Sequence, residues 1–574
     1  MKLVFRYLKP YLRRMGFGCI IKALGTFAEL LLPLILSHIL GEVILRRRVA
    51  DILFWGGAML FFSAVAMIAN ICANRMAAKS ARNFAEALRR DLFAKTLRLS
   101  AAQTDRFTIP SLESRITTDT YNVHAFVNIG QRLAIRAPIM LLGGIVITLF
   151  MDTYLALVMV ATLPVIFGSL FFISIKGIPL YTKVQKSVDS MIRVVREDSQ
   201  GIRVIKALSK TDYEHRRYDK VNRKLVKDET RAGIIMGSIN PLMALFMNIG
   251  IVAVIALSAS RVSAGLSDPE TVIAFMQYFT LISMAMMTMS RMGVMYTKNV
   301  ASANRIAEVL LAPEDLPVRD KREFPDIETD AHIVFDNVSF SYRGKKNNID
   351  RVSFSLPKGG SLGIIGATGS GKSTLVKLLL RFYDVNEGAV YINGEDVRTI
   401  EKDRLYAMFG TAMQHDFLYN DTIEENIRFG RDLSRDRIIS AAKTAQADDF
   451  ITAFADGYSH ELSTAGTNIS GGQKQRVLIS RALAADPEIL VLDDSSSALD
   501  YKTDAALRRA LADRMKDTTV VTVAQRVSSI KDCGLILVLD EGGVIGMGDH
   551  AHLLESCPEY REISESQMGG AFVE

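Results

Sequence analysis

The sequence predicts an α-helical membrane domain, six spans with long cytoplasmic extensions, followed by an α/β domain built around a phosphate loop. Three observations predict this class. Long runs without a charged residue all lie before about residue 300, and prolines at 313, 317 and 325 punctuate a charged stretch. Beyond that stretch, a complete GxxxxGK[ST] motif sits between a strand pattern and a helix pattern.

Composition sets the outer limits. A length of 574 residues gives a prior of three or four units of about 150 residues, or two large ones. Hydrophobic residues are 49% of the chain and mean hydropathy is +0.18, which excludes a disordered chain and argues against a wholly soluble enzyme. A charged fraction of 23% is too high for a chain wholly in lipid. Lys and Arg number 69 against 62 Asp and Glu, an excess of +7 that suits basic cytoplasmic loops and is too small to argue a nucleic-acid partner. Cys19, Cys72, Cys533 and Cys557 form neither a disulfide framework nor a CxxC metal site, so the compartment facing the polar mass reads as reducing.

Residues 52–74, 153–175, 232–260 and 271–290 carry no Lys, Arg, Asp or Glu. Each is long enough to cross roughly 30 Å of hydrocarbon at about 1.5 Å per residue. Residues 16–45, which contain Lys22 and Glu29, and 132–151, charge-free only from Ala137, complete the six. Residues 1–14 are basic and amphipathic and read as an interfacial helix on the cytoplasmic face. A signal peptide fits less well, because the apolar run is too long and no small-residue cleavage site follows.

Residues 151–153 are barely a turn, whereas 75–132 and 176–231 are long, basic and helical in period. Their proline-free stretches 77–99 and 184–208 predict helices of about 25 residues that reach roughly 35–40 Å beyond the bilayer. The Lys and Arg density places them, with the N-terminus, in the cytoplasm. Arg46, Arg47 and Arg48 fall in the first external loop against that rule, and the sequence offers no physical account of them. Pro164 and Pro241 are candidate kinks. The resulting division is 1–312 membrane domain, 313–330 linker and 331–574 α/β domain, the last large enough for its own core. Strand patterns occupy 333–342, 361–365 and 488–492.

The phosphate loop is Gly366, Ala367, Thr368, Gly369, Ser370, Gly371, Lys372, Ser373 and Thr374, after the strand 361–365 and before a helix over 375–382. Its glycines let backbone N–H groups turn inward, and the helix N-terminus adds positive potential for a phosphate. Lys372 supplies a charge to the β and γ oxygens and Ser373 a hydroxyl for Mg²⁺. About 120 residues later, 489–493 is an apolar strand ending in Asp493, suited to holding Mg²⁺ through water. A nucleoside triphosphate is the implied ligand.

Between these lies Ser470-Gly471-Gly472-Gln473, opening a helix over 475–485. In this order with the phosphate loop, it resembles the signature of the ATP-binding-cassette family, and the resemblance covers essentially the whole chain. Ser339-Phe340-Ser341-Tyr342 is similar to the loop whose aromatic ring stacks on adenine. Met413-Gln414 resembles the Q-loop, and Ser497-Ala498-Leu499-Asp500 the D-loop. Residues 114–119 and 301–306 are similar to stretches of the exporter branch, and six spans before one cassette is that branch's half-transporter layout. The resemblance implies ATP and Mg²⁺ as cofactors, with Ser373, Gln414 and Asp493 around the metal. It also implies a dimer, since the family's signature binds the γ-phosphate held by another cassette. Motion would pass to the spans through short helices near 107–114 and 208–215.

The departures narrow the reading. Where the family usually has glutamate after the Walker B aspartate, this chain has Asp494, one methylene shorter. The carboxylate is retracted by roughly 1.5 Å, about half the reach of a general base. Where the family usually has a switch histidine, this chain has Gln525, which hydrogen-bonds but neither titrates nor carries charge. Residues 464–468 also lack a glutamate usual in the family. The pattern resembles the degenerate-site subunit of heterodimeric bacterial multidrug exporters: a slow site here, with Ser470–Gln473 completing a competent site on a partner that carries Glu and His.

The expected activity is ATP-driven export of hydrophobic or amphipathic small molecules across a bacterial inner membrane by alternating access, with the ATP-binding domain cytoplasmic. The alternatives are a homodimeric exporter of lipid or peptide, or an ATP-gated regulator or channel that does not pump. A soluble ATPase is excluded by the apolar half, and an N-terminal peptidase domain is not expected. Intramembrane Glu29 and Lys22, on one helical face, and Met284, Met287 and Arg291 in the last span are the substrate candidates. Ordinary packing is the competing account of the methionines, and pairing with a neighbouring helix that of Glu29.

Overall fold

The computed structural model describes residues 2–264, 269–342, 344, 346–414 and 416–568; side chains at 2, 3, 170, 174, 269, 290, 291, 293, 294, 297, 298 and 568 are not described, so Arg291 lies outside the described side chains. The chain forms two compact units. One comprises Met1–Leu97 and Thr108–Ala312, the other Arg98–Phe107 and Pro313–Glu574.

The first unit is helical. Its long helices are α1 (Leu12–His38), α2 (Val49–Leu97), α3 (Thr120–Met151), α4 (Thr153–Gln200), α5 (Thr211–Gly237), α6 (Ile239–Ser263) and α7 (Pro269–Leu310). Six stretches are long and apolar enough to cross a membrane: Val4–Val43, Val49–Leu97, Ile109–Met151, Thr153–Gln200, Thr211–Ser263 and Glu270–Met289. Outward-facing Leu53, Phe54, Leu60 and Phe61 stay exposed on α2, the side a hydrocarbon solvent would cover. Leu30, Met140, Met159, Ile166, Phe279 and Ile282 pack inward as one apolar core.

Local chemistry explains the breaks. Between α3 and α4 a single residue, Asp152, turns the chain. Its carboxylate accepts the N–H groups of Tyr154 at 2.9 Å and Leu155 at 3.2 Å, capping α4. The helices read over 77–99 and 184–208 are the polar C-terminal ends of continuous 49- and 48-residue helices, and the second stops at Gln200 because Gly201 leaves helical geometry. Pro241 lies in the first turn of α6, just after the interruption at Ser238, while Pro164 is accommodated inside α4. Residues 1–14 are a helix, Lys2–Leu8, a tight turn and the start of α1, and the Tyr7 hydroxyl donates to Asp91 at 3.0 Å. Arg46 pairs with Glu42 at 3.2 Å, while Arg47 takes up a left-handed turn conformation.

The tip helices differ from expectation. Ala101–Phe107 and Ile109–Ser114 are two short helices parted by Thr108 at φ 62°, and Ala101–Phe107 belongs to the second unit. The other short helix is Ile202–Ala207, ended by Ser209 at φ 52°; residues 211–215 already begin α5, so the expected position 208–215 is about two turns too late. Within the second unit, Tyr383 donates its hydroxyl to Asp105 at 2.5 Å.

The two exporter-like stretches meet. Arg305 Nε donates to Asp119 Oδ2 at 2.8 Å, a second guanidinium nitrogen holds the other carboxylate oxygen, and Asp119 is 1% exposed. Arg115 donates to the Arg305 carbonyl at 2.6 Å and pairs with Glu308 at 3.0 Å. This bidentate pair fixes the end of α7 against the π-turn Arg115–Asp119.

The second unit carries β1 (Ala331–Phe340), β2 (Ile349–Pro357), β3 (Ser361–Gly366), β4 (Glu387–Ile392), β5 (Glu395–Asp396), β6 (Phe409–Ala412), β7 (Ile489–Asp493), β8 (Thr519–Val523), β9 (Leu535–Asp540) and β10 (Gly543–Gly548). The order β2-β1-β4-β5 makes an antiparallel sheet, and β10-β9-β3-β8-β7-β6 a second sheet, parallel except at β10. Ile364, Val491, Val521 and Leu537 from the parallel sheet and Phe335 and Phe354 from the antiparallel one share a buried core with Leu375 and Leu379 of α8 (Lys372–Leu379). In such a sheet ligands collect at the carboxyl ends of the strands.

Replacing Arg305 with Ala strands the buried Asp119 charge. This is expected to cost roughly 3–5 kcal/mol and to lower the thermal unfolding midpoint of the detergent-solubilised chain. An unchanged midpoint would remove the pair from its anchoring role.

Candidate nucleotide site

The carboxyl ends of β3, β8, β7 and β6 lie side by side, and residues that follow them converge on a 320 Å³ cavity. Thr368, Gly369, Gly371, Lys372, Ser373 and Thr374 line it from the loop after β3, and Gln414 from beyond β6. Asp493 and Asp494 enter from β7, and Val523 and Gln525 from the end of β8. Gly371 caps α8 at φ 104°, where a Cβ would lie 2.7 Å from the Asn348 carbonyl, so only glycine fits without strain.

Lys372 Nζ donates to the carbonyls of Gly366 and Ala367, both at 2.8 Å, within its own loop. Burial draws its amine below the ordinary lysine range, while the Asp494 and Asp493 carboxylates pull the other way. Ser373 Oγ approaches Asp493 Oδ1 at 3.4 Å. Burial pushes the Asp493 carboxyl above the usual range, opposed by the Ser373 hydroxyl. The Ser370 hydroxyl is buried without a hydrogen-bond partner. The set around Asp493 is hard oxygen, the donor type Mg²⁺ takes alongside phosphate. Among the described residues no three His, Cys, Asp or Glu side chains gather around a possible metal position.

Asp494 is the centre of the polar contacts. Its Oδ2 accepts Gln525 Nε2 at 2.8 Å and Gln414 Nε2 at 3.1 Å. Its backbone is left-handed at φ 52°, held by an N–H donated to the Val523 carbonyl at 2.9 Å. Burial raises its pKa, and the two amide hydrogen bonds oppose that. The Ser497 hydroxyl donates to the Asp494 carbonyl at 2.9 Å, tying the D-loop-like segment to the same turn.

Tyr342 stands outside the lining, its hydroxyl 3.3 Å from Thr374 Oγ1 and its ring edge-on to Tyr383 at 5.1 Å. Ser470 and Gln473 do not line the cavity. They form a reciprocal cap on α9 (Gly471–Leu483): Gln473 N–H donates to Ser470 Oγ at 3.3 Å and Ser470 N–H to Gln473 Oε1 at 2.9 Å. Gly471 and Gly472 open that helix, and Asp500 caps the next one by accepting Thr503 N–H at 2.9 Å.

Two residues escaped sequence reasoning. Asn348 lines the cavity and accepts the Tyr342 N–H at 3.2 Å. Gln567, on the C-terminal helix α10 (Pro558–Met568), donates to the Gln525 carbonyl at 2.8 Å and accepts the Val527 N–H at 2.8 Å, clamping the loop that carries Gln525. Neither belongs to a motif with a chemical signature in sequence.

A second cavity, of 620 Å³, lies in the membrane unit, lined by Glu29, Leu32, Pro33, Arg136, Ile251, Met276, Gln277, Thr280 and Leu281. Glu29 therefore lines a cavity and also pairs with Arg136 at 3.1 Å on a neighbouring helix. Lys22 is buried one layer away, while Met284 faces outward and Met287 packs against the core; neither methionine lines the cavity.

Comparison with known proteins accounts for both units. Residues 15–286 match the ABC transporter transmembrane region and residues 349–497 the ABC transporter family. An uncharacterized ABC transporter ATP-binding protein of Mycobacterium tuberculosis is 30% identical over 576 residues, covering 100% of this chain and 99% of the relative. YfiB, an uncharacterized ABC transporter ATP-binding protein of Bacillus subtilis, is 32% identical over 571 residues, covering 99% of each. A bacterial Atm1-family ABC exporter with ATP bound has the same fold, with a TM-score of 0.80 over 98% of this chain and 99% of that one at 24% identity. The chain belongs to the ABC transporters, as a half-transporter with one membrane region and one ATPase domain.

Proposed function

We propose that this half-transporter drives export of hydrophobic or amphipathic small molecules as one subunit of a heterodimer, and that its own ATP site binds well and turns over slowly. The observation that carries this reading is the Asp494 carboxylate, one methylene short and engaged on Oδ2 by two side-chain amides, with no imidazole among the described lining residues. A base so held is poorly aligned on an attacking water, a contribution worth typically about 10²–10⁴-fold.

In this reading the backbone amides after β3 cradle the phosphates and Lys372 leaves its loop carbonyls for the β and γ oxygens. Tyr342 meets the adenine. Ser373, Asp493 and Gln414 hold Mg²⁺, which neutralises charge on the β and γ phosphates when bound. The capped helix end at Ser470–Gln473 serves the partner's nucleotide, and a partner with glutamate and histidine at the matching positions supplies the fast site. Residues 1–312 form the membrane domain and 331–574 the ATPase, joined by 313–330, with the ATPase and N-terminus on the cytoplasmic side of a bacterial inner membrane. The exporter fold of the Atm1-family structure supports the direction.

Three outcomes are expected. Lys372→Ala weakens ATP binding about 10- to 100-fold in equilibrium titration, the loss of a charge-assisted contact. The purified single chain shows little vanadate-sensitive ATPase, and Asp494→Glu with Gln525→His raises it by about 10²-fold or more; brisk turnover by the unaltered chain defeats the slow-site reading. Gln567→Ala frees the 525–527 loop, seen as faster amide exchange there with little change in the rest of the ATPase unit.

A further inference from the structure

Three cations in the membrane unit share one carboxylate. Lys22 on α1 is 5% exposed and donates only to amide oxygens, Asn70 Oδ1 at 2.6 Å and Asn74 Oδ1 at 3.4 Å. Asn70 passes its own N–H to Glu29 Oε1 at 3.0 Å, and Arg136 of α3 meets Glu29 Oε2 at 3.1 Å. Arg132, one turn before Arg136, donates to the Asn74 carbonyl at 3.4 Å, and Lys22 lies within electrostatic reach of both arginines. Lys22, Arg132 and Arg136 face the one carboxylate of Glu29, so among the described residues the cluster holds an excess of two positive charges. Excess charge within a membrane span is costly unless an anion meets it.

The 620 Å³ cavity opens on this cluster. Its size suits a drug-sized body, and Leu32, Ile251, Met276 and Leu281 give it apolar walls. Arg136, with 45% of its side chain exposed, contacts Glu29 through one nitrogen of a five-donor fork and has no other partner among the described residues. A planar guanidinium with free donors matches a carboxylate or phosphate bidentately.

We propose that this cavity takes an amphiphile with an anionic head, carboxylate or phosphate, the head on Arg136 and the tail against the apolar wall. This names the substrate class of the export reading and rests on it. Glu29 serves as the resting counter-ion that the ligand's anion supplements, and Lys22 and Arg132 supply the surrounding positive potential. A cationic or uncharged amphiphile fills the same volume without answering the excess charge.

The test uses the full chain in phosphatidylcholine nanodiscs, without nucleotide or partner subunit, so that failure of the exporter reading leaves it intact. The probes are 11-(dansylamino)undecanoic acid and its methyl ester, one tail with and without charge, followed by dansyl emission. The acid is expected to bind at least about tenfold tighter than the ester. Arg136→Gln is expected to erase that preference while leaving the ester unchanged, and Glu29→Gln, which frees the fork, to strengthen acid binding several-fold. Equal binding of acid and ester, or a preference that survives Arg136→Gln, overturns the proposal. If Arg136→Gln does not fold, an acid affinity unmoved or weakened by Glu29→Gln overturns it as well. Competition by phosphatidylglycerol added to the disc assigns the site to a bilayer lipid, and its absence to a soluble amphiphile; both outcomes uphold an anion site.

Discussion

Asp494 Oδ2 accepts hydrogen bonds from Gln414 and Gln525, which arrive from the far ends of β6 and β8, while the residue's backbone is pinned to Val523. These contacts join the ends of β6, β7 and β8 on the cavity side of the parallel sheet, beside the phosphate loop that follows β3. A glutamate here would have to place its longer side chain elsewhere, and a histidine at 525 would offer one ring N–H where the amide offers two. The aspartate and glutamine are thus a matched set. Each is the right length for the other, and the fit explains how both departures coexist in one well-packed site.

The membrane unit faces the opposite electrostatic problem. The ATPase cavity gathers carboxylates that await a cation and phosphates, whereas α1, α2 and α3 gather Lys22, Arg132 and Arg136 around a single Glu29. Asn70 and Asn74 ease this by giving amide oxygens to the lysine, a partial remedy since a neutral oxygen solvates a cation without cancelling it. Elsewhere in the same unit two buried carboxylates are each met by a cation. Asp119 takes both arms of Arg305, and Asp228, nearly as buried, takes Lys183 at 3.1 Å and the Ser187 hydroxyl at 2.9 Å.

Much of this was legible in the sequence because the signals are local. Charge-free runs report spans, and a phosphate loop reports itself through glycine spacing that only one backbone path satisfies. Long-range pairing left no such trace. Nothing in the neighbourhood of Asn70 marks it as the link between Lys22 and Glu29, 48 and 41 residues away. Gln567 clamps a loop 40 residues upstream through an amide that looks like any surface glutamine. The tip helix lies about two turns before its expected place for a local reason that composition hides: Gly201 and Ser209, not a proline, bound it. The methionine-rich end of the last span drew attention by composition, yet the cavity wall is built from the same helix about two turns earlier, at Met276, Gln277 and Thr280.

The segment that resembles the family signature is held by its own side chains. Ser470 and Gln473 cap each other and α9 without any contact from the nucleotide cavity, so the helix end is preformed as an anion-facing surface. The hydroxyl and N–H groups of a preformed cap need no reorganisation to meet a phosphate, and nothing in this chain's own cavity uses them. Ser497, by contrast, ties the neighbouring D-loop segment to the Asp494 carbonyl. The capped helix end and the Asp494 turn are thus fastened by separate contacts, the first by its own side chains and the second through Ser497.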